Sequence, residues 1–291
     1  MAKILIVGCG DIGTKLAKTL VAKGHNVTGL KRHPPLTPEP GLQYHAADIT
    51  IAATLSDLAT DFEQVFFILA PDGRDAVSYN AVYVDGLNNL LAHFAASGTQ
   101  PPWLLVSSSS VYGQTQGEWV DETSIAEPTS STSLAIRAAE QRLMLLSPAH
   151  CVLRFSGIYG PGRDYLLRSA RQTPAIQKNP PYYTNRIHEQ DCINVLVFLL
   201  EHRLAGKPLA QCYLASDDDP ASQWEVMNWL AATLHCPPPT IKTVAANAEQ
   251  NKRCNNERLK ALGYRFQYPN YQAGYGELLS VKSGLPFTRG L

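Results

Sequence analysis

Gly8, Gly10 and Gly13 stand at G-x-G-x-x-G spacing, directly after the apolar run Ile4 to Val7 and ahead of a helical pattern. That arrangement suits the pyrophosphate of a dinucleotide. The first glycine permits a tight turn, the second lets the anion approach the backbone, and the third lets a helix pack closely on its strand. Backbone N–H groups at the helix start, those of Asp11 and Ile12 among them, would face the charge. Glycines serving a tight turn alone are the plainer alternative. A phosphate loop of the nucleoside-triphosphatase type is nearly matched by Gly8 to Lys15, but the order Gly13-Thr14-Lys15 misplaces the lysine. Further on, Lys31-Arg32-His33 closes the second strand pattern. An NAD site would present an acid to the ribose hydroxyls there, whereas two cations are suited to a 2′-phosphate, so NADP(H) is favoured and NAD(H) stays open. A second group of cations, Arg154, Arg163, Arg168, Arg171, Lys178 and Arg186, falls in one stretch whose one acid is Asp164. Guanidinium groups of this kind can grip a phosphate bidentately, and a solvated basic face explains them about as well.

These residues need elements to hold them. Apolar strand patterns at 3–7, 26–30, 64–69, 103–107, 150–155 and 211–215 alternate with helical ones, which predicts βαβ units and a parallel sheet. Ile12, Leu16, Leu20 and Val21 make one helix face that stops at Gly24; Tyr79, Tyr83, Leu87, Leu90, Leu91 and Phe94 make another before Gly98. Beyond Phe155 the texture turns to Gly, Pro, Arg and Tyr, returns to a helical pattern at 193–200, and ends in a Tyr/Pro-rich tail. The expectation is an α/β, doubly wound Rossmann domain over 1–157 and 186–216, with a smaller, discontinuous C-terminal substrate lobe over 158–185 and 217–291.

With these features in place, the chain resembles the extended short-chain dehydrogenase/reductases, the NAD-dependent epimerase/dehydratase superfamily, over nearly its whole length. Ala46-Ala47-Asp48-Ile49-Thr50 is similar to that family's adenine-contacting stretch, and Ser107 to Gly113 (SSSSVYG) to its fifth-strand signature. Gly157 to Arg163 and Asn185-Arg186-Ile187-His188 resemble the way into the substrate lobe and the return from it. The G-x-G-x-x-G spacing is that of the members called atypical. The resemblance implies that Asp48, Ile49, Ala70 and Pro71 join Gly8, Gly10, Asp11, Ile12, Gly13, Lys31 and Arg32 in holding the cofactor. It also implies that Ser108 binds the reacting oxygen, and that Arg163, Arg186 and His188 face a small, nucleotide-sugar-like or phosphorylated substrate. Ser108 could equally satisfy backbone groups at a strand end, and His188 could be a packed structural histidine.

One departure matters. The family's Tyr-x-x-x-Lys pair, which exchanges the carbinol proton and binds the nicotinamide ribose, has no counterpart, for no tyrosine here is followed by lysine four residues on. Aligning Glu140 with the family's helix glutamate puts Thr132 and Ile136 at the two positions. Two functions follow as expectations: an NAD(P)-binding oxidoreductase or isomerase using Ser108 and another acid, or a non-catalytic NADP(H)-binding redox sensor or regulatory module.

Composition bounds both. The chain has 291 residues, 45% of them hydrophobic and 17% charged, which excludes a disordered chain. The 25 basic and 25 acidic residues cancel, so no nucleic-acid or membrane partner is expected, and a homo-oligomer remains open. Six scattered cysteines without a Cys-x-x-Cys pair suggest reduced thiols and no metal, and the four-residue run Ile4 to Val7 is too short for a signal-peptide core, so the cytoplasm is expected.

Overall fold

The computed structural model describes residues 1–37 and 39–283. Its centre is a seven-stranded sheet built from β1 (Lys3–Val7), β2 (Asn26–Lys31), β3 (Leu42–Ala46), β4 (Gln64–Phe67), β5 (Trp103–Ser108), β7 (Cys151–Phe155) and β11 (Cys212–Ala215), in the order β11-β7-β5-β4-β1-β2-β3. Pairing runs parallel from β3 through β5. This is the doubly wound order, in which the chain reverses direction at β1 and β4 and leaves a crevice at the strands' carboxyl ends. The strands carry almost no polar alternation because both faces are covered: β4 is buried at every position, and Ile4 to Val7 are sealed.

The sequence patterns identify six of these strands. The seventh, β3, reads Leu-Gln-Tyr-His-Ala and buries only Leu42; an edge strand next to solvent has no need of an apolar run. The helix expected from Tyr79 starts earlier, at Ala76 (α2, Ala76–Asn80), passes through a π-turn at Ala81–Gly86 and continues as α3 (Leu87–Ala96). The other elements that place functional residues are α1 (Asp11–Ala22), β6 (Gln116–Val120), α4 (Ser131–Leu146), β8 (Gly157–Tyr159), α5 (Tyr165–Ala170), β9 (Ala175–Gln177), β10 (Arg186–His188) and α6 (Glu189–Leu204). They are followed by α7 (Gln223–Thr233), β12 (Thr240–Lys242), β13 (Asn251–Cys254), α8 (Glu257–Ala261) and α9 (Tyr271–Ser283).

Two compact units result. The first takes Met1–Val111, Ala126–Arg154 and Val195–Tyr213; the second takes Tyr112–Ile125, Phe155–Asn194 and the chain from Leu214. In the first, a buried glutamate organises α4: Glu140 accepts from Arg154 at both carboxylate oxygens (2.9 and 2.7 Å), from Arg137 at 2.8 Å and from the Ser107 hydroxyl at 2.5 Å. The second has its own core, in which Tyr159, Leu167, Ile176, Val226, Met227, Leu230 and Tyr275 pack together. The six cysteines carry no disulfide. No helix among the described residues is long and apolar enough to cross a membrane.

Candidate functional site

The glycine turn joins β1 to α1, and its three glycines answer to different constraints. Gly8 has φ +99°, and a Cβ there would lie 2.2 Å from the Ile68 carbonyl oxygen. At Gly13 a Cβ would lie 2.1 Å from the Gly8 carbonyl oxygen, so α1 could not sit against the turn. Gly10 is different, since a Cβ there meets nothing within 4 Å and the backbone faces open space. Gly10 is also the N-cap of α1 and brings no capping side chain, leaving the helix's positive end uncovered. The residues of this cradle fit a pyrophosphate.

The flanking residues are set by local chemistry. Cys9 is buried against Gly29, and burial pushes its thiol up to about 12, so it is a neutral packing group. Asp11 pairs with Lys15 at 2.9 Å and Ile12 is buried. Lys31 donates from its ammonium to the Cys9 carbonyl at 3.1 Å, which brings a cation to the turn itself. Arg32 is exposed and paired with Asp72 at 2.6 Å. Asp48 accepts the Thr50 N–H and hydroxyl at 2.9 and 2.7 Å; burial opposes its ionisation, but these hydrogen bonds outweigh it and hold the carboxyl below its usual range. Ile49 is buried, and a Cβ at Gly86 would lie 2.4 Å from its Cδ1. The chain after β4 is held by Tyr83, whose hydroxyl donates to the Leu69 carbonyl at 2.9 Å, just ahead of the exposed Ala70 and the half-buried Pro71. Sequence reasoning placed this tyrosine on a helix face but not at Leu69, and gave Asp72 no role, because neither has its partner close in sequence.

At the end of β5, Ser108 is half-buried and its Oγ accepts the Ser110 N–H at 3.1 Å. Thr132 lies in the first turn of α4, after the N-cap Ser130, whose side chain accepts the Ser133 N–H. Ile136 is buried in the packing of α4. Ser133, beside Thr132, is buried and donates to the Ser110 hydroxyl at 2.9 Å, so α4 is tied to the serine run by hydroxyls.

The second unit holds the remaining candidates. Arg163 lies 3.8 Å from Glu189. Arg186 is buried, donates to the Thr184 hydroxyl, sits 5.4 Å over the Tyr271 ring and leaves its Nη1 without a partner. Nearby Asp217 is sealed from solvent with Oδ2 unmatched, and burial pushes its carboxyl well above the usual range, against the pull of Arg186. His188 is enclosed: its ring is 3.9 Å from Tyr268 and 5.2 Å from Tyr159, and Nδ1 accepts the Gln190 N–H at 3.2 Å. Tyr112, the tyrosine of the V-Y-G signature, donates its hydroxyl to the Asp121 carbonyl at 2.7 Å.

Comparison with known proteins gives a consistent picture. Residues 4–207 match the model of the NAD dependent epimerase/dehydratase family. A protein of Methylobacillus flagellatus, provisionally classed as an NAD-dependent epimerase/dehydratase, is similar in structure with a TM-score of 0.82 and 35% identity, covering 97% of this chain and 99% of that one. The UDP-glucose 4-epimerase of Thermus thermophilus, in complex with NAD, shares the fold with a TM-score of 0.74 at 20% identity, covering 94% and 96%. In sequence, the 3-diazoavenalumate denitrifying reductase of a Streptomyces species is 26% identical, covering 94% of this chain and 99% of that protein.

Proposed function

The chain belongs to the NAD dependent epimerase/dehydratase family, and from that premise we propose that it is an NADP(H)-dependent oxidoreductase or isomerase of a small anionic substrate, working without a Tyr-x-x-x-Lys relay. The observation that carries this reading is the open space over Gly10 between two glycines that sterically must be glycines. Such a cradle fits a pyrophosphate at the N-terminus of α1. Asp48, Ile49, Ala70 and Pro71 would line the rest of the cofactor's path. Lys31 and Arg32 support the phosphorylated form. Arg32 is held by an exposed carboxylate, and exposed pairs are worth only about 0–1 kcal/mol, so a 2′-phosphate can displace Asp72.

The bound cofactor supplies or accepts a hydride. The chain's own contribution is hydrogen bonding and charge. Ser108 would donate to a reacting oxygen: its Oγ accepts the Ser110 N–H, and its own proton has no acceptor among the described residues. Arg186, with an unmatched guanidinium nitrogen, and Arg163 supply positive charge for an anionic group, and His188 shapes the lobe that carries them. The proton would then come from water, which is slow compared with a positioned tyrosine. A reductase among the relatives supports the redox direction over epimerisation.

A second reading is favoured by one observation. Ile136 and Ser133 are spent on packing and on Ser110, so nothing on α4 replaces the lost acid. That is what a cofactor sensor without turnover would tolerate. Calorimetric titration with NADPH and NADH, followed by a 340 nm assay over phosphorylated and carboxylated carbonyl compounds, separates the readings. The enzyme reading expects tight NADPH binding with either consumption at 340 nm or a rearranged product on chromatography for some member of the panel. Binding with neither supports the sensor, and no binding of either dinucleotide overturns both.

A further inference from the structure

Away from the glycine turn, the second unit contains a pocket of about 350 Å³, near the small end of the range for ligand sites. Its wall is Trp119, on β6, and its polar lining includes Asp218, Asn255, Glu257 and Lys260. Parallel pairing of β6 with β13 fixes the wall, with Trp119 in register with Arg253 and Val120 with the pocket residue Cys254. Trp119 is 55% exposed, an unusual state for so large an apolar surface. The Arg253 guanidinium lies 4.9 Å from its ring centroid, is sandwiched by Tyr183 at 4.7 Å, and is anchored to the Gly117 carbonyl at 2.8 Å. Trp119 lines the pocket and Arg253 does not.

The rim is arranged but not saturated. Asp218 Oδ1 takes the Asn256 amide at 2.8 Å and the Lys260 ammonium at 3.3 Å, while Oδ2 has no partner among the described residues. Lys260 also binds Glu257 at 2.9 Å. Asn255 spends its Oδ1 on the Glu257 N–H and keeps both amide hydrogens. Of the three carboxyl groups in the lining, burial raises Asp217 well above the usual range, and Asp218 and Glu257 alone outnumber the one ammonium, so the rim is net negative, which disfavours phosphates. A guanidinium already draws on the ring's negative face, which disfavours a second cation stacked on it. A flat, neutral ring with an amino group and ring acceptors meets all three conditions: stacking on Trp119, donation to Asp218 Oδ2, and acceptance from Asn255 Nδ2.

We propose that this pocket is a second small-molecule site, built wholly from the second unit, for a neutral amino-substituted heteroaromatic ring of the nucleobase type. The test is calorimetric titration with adenosine and cytidine, which carry the amine, against inosine and uridine, which do not, and against AMP. Each titration is run with and without saturating NADPH, so that any binding at the glycine turn is recognised by its loss when the dinucleotide is present. Adenosine and cytidine are expected to bind with NADPH present, and their amine-free counterparts about tenfold more weakly. AMP should bind more weakly than adenosine. Trp119→Ala is expected to cost at least about tenfold, the usual weight of one base stacked on an aromatic side chain, with Trp119→Tyr retaining most of the affinity. Asp218→Asn is expected to erase the preference for the amine, and it carries the test should Trp119→Ala fold poorly. Nucleoside binding that disappears with NADPH present, equal affinity for adenosine and inosine, or wild-type affinity in Trp119→Ala would each overturn the assignment.

Discussion

Residues in the glycine turn show how one amino-acid type can serve two purposes. Gly8 and Gly13 are glycines because the protein itself fills the space, and Gly10 is one because the protein leaves the space empty. Gly10→Val should therefore fold, with a melting temperature near wild type, and lose dinucleotide affinity by at least about a hundredfold, since a branched side chain would fill the anion's place. Retained affinity in the calorimeter would move the site elsewhere. The pair after β2 makes a sharper point. If Arg32 anchors a 2′-phosphate, Arg32→Ala should weaken NADPH by about tenfold and leave NADH unchanged, the usual scale for one charge-assisted contact. Asp72 restrains that guanidinium at 2.6 Å, so Asp72→Asn should tighten NADPH by a few fold and do nothing for NADH. Equal affinity of the wild type for both dinucleotides would remove the case for NADP(H).

At the scale of elements, α4 shows what its sequence reveals and what it hides. Nothing in the sequence says that four donors from Ser107, Arg137 and Arg154 converge on Glu140. Removing one member of a buried pair leaves an uncompensated charge, typically at a cost of about 3–5 kcal/mol. Glu140→Leu should lose stability on that scale in urea titration, and Glu140→Gln somewhat less; a loss below about 1 kcal/mol would refute the role. His150, before β7, accepts the Trp103 N–H at 3.2 Å, and burial, reinforced by Arg203, lowers its pKa from 6.5 to about 4. Folding thus favours the neutral ring, so its contribution is complete above pH 6.5 and is lost as pH falls toward 4, by on the order of 3 kcal/mol. His150→Gln should flatten that acid limb. The strands with apolar runs, and the turn whose motif is local, were legible in the sequence. The edge strand β3, the Tyr83 hydrogen bond to Leu69 and the aromatic enclosure of His188 were not, because each depends on partners far along the chain or on the absence of any burial to mark it.

Taken as a whole molecule, the chain has the fold of its family, and under the proposed reading it works without that family's proton-moving pair. Thr132 and Ile136 cannot exchange a proton readily near pH 7, and two other candidate donors are committed: the Tyr112 hydroxyl to Asp121, and the His188 ring to its aromatic neighbours and Gln190. A positioned acid/base is worth about a hundredfold to ten-thousandfold. Turnover of nucleoside-diphosphate sugars, whose epimerisation or dehydration needs such a group at the carbinol, should accordingly be absent or slower by that factor than in a relative with the intact pair. Chromatographic product analysis measures the redox-neutral reactions, and NADPH absorbance at 340 nm measures reduction. Thr132→Val should change neither, whereas Ser108→Ala should lower whatever reduction is found. Rapid conversion of any of these sugars would mean that a proton donor is present after all. Substituting Tyr112 and His188 in turn would then show whether either hydroxyl or imidazole leaves its present partner to supply it.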